Sequence, residues 1–102
     1  MGINVRTETE DGEKLSEWED PRGLTKALLP AASDSAFCCL RFVDRFGDAV
    51  FNQLQIPVLI SELRRQVDRI KDPGARDHAE AVLRLVETAE GKVHTYVRFI
   101  GD

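Results

Sequence analysis

Between Pro57 and Gly91 the apolar residues recur every three or four positions, and Lys71-Asp72-Pro73-Gly74 cuts the run in two. This spacing puts one apolar stripe on each of two successive helices. Leu59, Ile60, Leu63, Val67 and Ile70 line the first, which opens at Pro57. Ala79, Val82, Leu83 and Val86 line the second, with Gly91 as its stop. Two one-sided helices must cover something, and the segments on either side of them alternate with period two.

Ile3–Glu8 reads as a half-buried strand, with Ile3, Val5 and Thr7 on one face and Asn4, Arg6 and Glu8 on the other. Thr9–Gly12 ends in Asp-Gly, a signal for a tight reversal. Glu13–Glu19 returns as a second strand. Its two apolar residues, Leu15 and Trp18, fall on opposite faces of a regular strand, so a bulge intervenes or Trp18 faces outward. Asp20 and Pro21 carry an N-cap and first-turn signature, which predicts a short helix holding Leu24, Leu28 and Leu29 and stopped by Pro30. Ala31–Ser35 is a loop. Ala36–Val43 is a strand by composition, Asp44–Asp48 a turn, Ala49–Leu54 the partner strand, and Lys92–Ile100 the last strand. The expected order is ββα, ββ, αα, β. It corresponds to one α+β domain over residues 1–102, with an antiparallel sheet of about five strands and helices on one face.

The 102 residues suffice for one independently folding core. No apolar run approaches the ~20 residues that cross a bilayer, and the first residues lack a secretory pattern. The expectation is a cytoplasmic protein with no membrane contact.

Catalytic and metal chemistry find little support in the residue pattern. Cys38 and Cys39 are the only cysteines and are adjacent, too close to bridge, and on a strand they point to opposite faces. His78 has no ligand partner at helical spacing. Asp44 and Asp48 flank a turn without the oxygen series of a calcium loop. Phosphate-loop, nucleophile-elbow and zinc-helix motifs do not occur. The expectation is a non-enzyme without metal or cofactor. The group most like a site is His94, Tyr96 and Arg98, which share one strand face. With Arg41, Phe37 and Cys39 from a neighbouring strand, and Arg6 or Trp18 from the first hairpin, they would form an aromatic and arginine-rich outer face.

Charge is the more telling feature. The chain carries a net −4, and residues 1–20 alone hold seven acidic groups against two basic ones. An acidic balance argues against phosphate backbones as partners and suits a basic protein surface. The leading expectation is therefore a small binding or inhibitor protein. Glu8, Glu10, Asp11, Glu13, Glu17 and Glu19 would steer a basic partner, and Trp18 would anchor it. By analogy of size and charge, its most concrete form is a bacterial immunity-type protein that masks a basic toxin. Two other expectations stand beside it. One is a small ligand-binding domain or enzyme built on His94, Tyr96 and Arg98. The other is a homodimer formed by pairing of Val93–Ile100 with its copy.

Overall fold

The computed structural model describes residues 2–101. Its sheet has four strands: β1 (Asn4–Thr9), β2 (Lys14–Trp18), β3 (Asp48–Phe51) and β4 (Thr95–Ile100). They lie in the order β2-β1-β4-β3, and every neighbouring pair is antiparallel. Helices α1 (Ile56–Arg69) and α2 (Pro73–Glu87) connect β3 to β4 and bury their apolar stripes with one face of the sheet. That stripe is Ile56, Leu59, Ile60, Leu63 and Val67 on α1 and Ala75, Ala79, Val82 and Val86 on α2. Opposite stand Val5, Val97 and Phe99, all fully buried, and Phe51, which meets Phe99 edge to face at 5.9 Å. The α+β class stands, with four strands in place of about five.

The first hairpin turns through Gly12, whose φ of +84° suits a residue without a side chain. Its bulge is real. Ser16 pairs with Thr7 and Lys14 with Glu8, so Leu15 is the extra residue. That insertion resets the alternation, which puts Trp18 opposite Val5 on the helix side of the sheet. Of the two Asp-Pro pairs, the second caps a helix: Asp72 accepts from the Ala75 amide at the start of α2. The first does not. Asp20 instead accepts from the amides of Ile3, Leu24 and Thr25, and the following segment forms only a 3-10 turn over Thr25–Leu28. Its carboxylate ties the start of β1 to that turn and leaves no regular helix to cap.

The expected strand at Ala36–Val43 does not form. Phe37, Cys39 and Leu40 are buried, but they sit in a loop that closes as a 3-10 turn at Leu40–Phe42. The cause is Glu62 of α1. Its carboxylate, 2% exposed, accepts from the Cys38, Cys39 and Leu40 amides. These donors would otherwise need a neighbouring strand. The sheet consequently lacks the fifth strand, and β3 ends at Phe51 because residues 53–55 turn into α1. The final strand begins at Thr95 and not at Lys92, since His94 stands at φ +60° and breaks the extended run.

Strand order bears on self-association. β4 lies between β1 and β3, so both of its edges are taken and Val93–Ile100 cannot add to a copy of itself. The free edges belong to β2 and β3.

Candidate functional site: the β2 edge and its flanking grooves

The acidic residues of the first hairpin divide into two groups. Glu8 leaves the surface. It points to the outer face of the sheet, is 2% exposed, and lies between two arginines: Arg6 Nε donates at 2.8 Å and Arg98 Nε at 2.9 Å. Its charge is spent inside the protein, and it cannot steer a partner. Glu10, Asp11 and Glu13 surround the exposed Gly12 turn, while Glu17 and Glu19 follow the β2 edge. Glu17 pairs with Lys14 at 3.1 Å and Glu10 with His94 at 2.9 Å, both at exposed positions where such contacts add little. Asp11, Glu13 and Glu19 are exposed at the turn and at the two ends of β2.

The alternative face does not assemble as expected. Arg41, Phe37 and Cys39 belong to the Glu62-bound loop and not to the sheet. Arg41 lays its guanidinium over Phe42, 4.6 Å from the ring centre. His94 precedes β4. Tyr96 and Arg98 do face outward and help to line a shallow depression of about 330 Å³, to which His94 does not contribute. Arg98 is occupied there. It donates to Glu8 and, at 3.1 Å, to Asp48, and these contacts, Glu8 first, raise its pKa further. An anion approaching this face would have to displace two carboxylates.

Sequence reading missed the role of His78. It lies on the buried side of α2 between Ala75, Ala79 and Val82, and the Trp18 indole reaches it across the edge of the sheet. The hydrogen bonds form a directional chain. The Thr25 hydroxyl donates to the Ile3 carbonyl at 2.9 Å, so its oxygen accepts from His78 Nε2 at 2.7 Å. His78 Nδ1 then accepts from Trp18 Nε1 at 3.2 Å. This order of donors fixes a neutral imidazole with its proton on Nε2. Burial lowers the pKa of His78, against the opposing pull of the Asp20 carboxylate, and favours the same neutral form. Both ring nitrogens are engaged within the protein, so His78 serves to hold Trp18 in place. The one available signal was its position on the apolar stripe of a helix.

Trp18, pinned by its N–H, keeps 43% of its surface exposed. With Pro21, Leu24, His78 and Ala81 it forms a groove of about 550 Å³, rimmed by Arg22 and Arg84. At the other end of β2, Leu15 is 55% exposed and borders a second groove of about 320 Å³ with Ser16, Leu85, Thr88 and Ala89. The strand edge therefore has an apolar hollow at each end, both between β2 and α2.

Among the described residues, neither thiol is hydrogen-bonded to a histidine or carboxylate; Cys39 Sγ donates to the Gln55 carbonyl at 3.8 Å. Cys39 is buried, and burial first, then the Glu62 carboxylate and Cys38, push its thiol up to about 11. Cys38 is exposed and reduced. Among the described residues, no three His, Cys, Asp or Glu side chains gather as a metal site requires, and no helix is long and apolar enough to cross a membrane.

The class these features define is a small α+β domain. One sheet face is covered by two helices, the other is closed by an internal ion network, and one acidic strand edge lies open. No family model, curated protein or solved structure matches the chain.

Proposed function

We propose that the protein is a non-catalytic binding protein that docks a basic partner protein on the β2 edge, with Trp18 as its anchor. The observation that carries this reading is the placement of an oriented, 43% exposed tryptophan among carboxylates: exposed Glu19 and half-buried, Lys14-paired Glu17 beside it, and exposed Glu10, Asp11 and Glu13 at the adjoining turn. A large ring already held by His78 loses little freedom on binding, and aromatic anchors of this kind dominate interface energetics. The carboxylates speed encounter and select for positive charge. Glu8 is excluded from this set by its burial between Arg6 and Arg98. The most concrete form of the reading is a cytoplasmic inhibitor of the immunity type, which would cover the basic site of a bacterial toxin.

The test is capture of partners from native lysate at low and high salt, with three baits: the native protein, Trp18→Ala, and a form with Glu10, Asp11, Glu13, Glu17 and Glu19 neutralised. A basic protein held by the native bait at low salt should be lost from the neutralised bait. Trp18→Ala should weaken it by about 2 kcal/mol, or about thirty-fold in Kd. Equal retention of that protein on all three baits would overturn the reading.

A further inference from the structure

We propose that the β2 edge recognises its partner by strand addition, taking up an extended basic segment whose alternate side chains are apolar. This inference rests on the docking reading above and specifies its geometry.

β2 is an outer strand with only β1 beside it. The direction of its free backbone groups follows from the hairpin. Thr9 both donates to Glu13 O, at 2.9 Å, and accepts from Gly12 N, so its backbone faces β2. Strand alternation gives Thr7 and Val5 the same direction, and their partners Ser16 and Trp18 turn inward toward them. Glu17, paired with Arg6, then directs its own N–H and C=O off the edge of the sheet. An incoming strand would bond to these groups.

The side chains around the edge suit one kind of strand. On the helix side, the hollows beside Trp18 and Leu15 flank β2 at its two ends and would each receive apolar side chains from the same face of an added strand. On the opposite side Glu17 shares the face with Lys14, which pairs with it at 3.1 Å; exposed Glu19 follows the strand, and exposed Glu13 precedes it at the turn. Lysine or arginine at the intervening positions would meet Glu19 directly and would compete with Lys14 for Glu17. The same charges disfavour a second copy of this chain, whose net charge is −4 and whose β2 edge would bring like carboxylates together.

The test uses an end-blocked ten-residue peptide of alternating lysine and valine as the probe, with Glu17→Gln and Glu17→Pro as variants. Both variants lose the carboxylate, but only proline also removes the outward N–H, and proline is tolerated on a free edge. Amide exchange at Glu17 in the native protein should slow at least about tenfold at saturating peptide. Glu17→Pro should bind at least about tenfold more weakly than Glu17→Gln. If Glu17→Pro does not fold, exchange at Glu17 alone decides. Salt-sensitive binding without slowing at Glu17, or equal binding by the two variants, overturns strand addition and leaves charge-guided docking standing. No association at millimolar peptide also overturns strand addition, and the docking reading is then judged by partner capture alone. Slowing at Glu17 that grows with protein concentration in the absence of peptide assigns the edge to a second copy and overturns the proposal.

Discussion

The indole N–H of Trp18 donates to Nδ1 of His78 at 3.2 Å, joining the free edge of the sheet to the buried side of α2. The bond gives Trp18 a fixed orientation that its exposure alone would not supply. Trp18→Phe keeps an aromatic ring, though a smaller one, and removes the donor. It is expected to cost about 1 kcal/mol in urea unfolding, the usual net value of one such bond.

The same pair governs acid sensitivity. The His78 pKa is lowered in the folded protein from an ordinary 6.5, so the unfolded chain takes up a proton first. Its contribution to stability is complete above about pH 6.5 and is lost as the pH falls through that value toward the folded pKa. Asp20 adds a later loss. Burial works to raise its pKa, but the amides of Ile3, Thr25 and Leu24 prevail and lower it, so its contribution fades as the pH falls below the ordinary 3.8. Unfolding midpoints measured across this range should decline in two stages. His78→Gln should flatten the upper stage and spare the lower one.

Glu62 alone holds the amides of the loop at Cys38–Leu40. Replacing it with alanine strands the buried Cys39 and Leu40 amides away from water and frees the Cys38 amide at the surface. The expected cost is at least about 2 kcal/mol, since each of the two orphaned buried donors costs about 1–3 kcal/mol. Glu62→Gln, which keeps one accepting oxygen, should lose less. Urea unfolding of the two variants gives both values.

The two cysteines should separate under alkylation. Iodoacetamide applied to the folded protein is expected to modify Cys38 and spare Cys39, which is buried and has a thiol pKa of about 11. Mass mapping before and after denaturation checks the order. Early modification of Cys39 would mean that the loop held by Glu62 opens readily.

Glu8→Ala should cost about 1–3 kcal/mol, because it leaves Arg6 and Arg98 facing each other across the sheet without their shared acceptor. Arg98 retains Asp48, so Glu8→Ala combined with Asp48→Ala should lose more than the two single changes together. A double-mutant cycle by thermal unfolding measures the coupling.

How far the fold could be read from the residues depended on distance along the chain. The hairpin, its bulge, both helices and the Asp72 cap rest on signals a few residues apart, and all are present. Ala36–Val43 has the composition of a strand, but its amides are claimed by a carboxylate more than twenty positions away. Glu62 resembled one more charge on an amphipathic helix. Glu8 was misplaced for a related reason. Alternation put it on the outer face correctly, yet only the arrival of β4 beside β1 brings Arg98 over it and removes it from solvent. The exposed carboxylates at the turn and along β2 were legible. The support behind Trp18 was not, since His78 lies sixty positions away.

The strand that joins the two halves of the sheet follows all the others in the chain. Until Thr95–Ile100 leaves the ribosome, β1 and β3 have no common neighbour, and the pockets awaiting Val97 and Phe99 are empty. A chain without β4 would keep only the β1–β2 hairpin and a lone β3, with the apolar side of the helical pair open between them. Closure of the sheet therefore waits on β4, and the helix-side core has its full lining only once Val97 and Phe99 are in place.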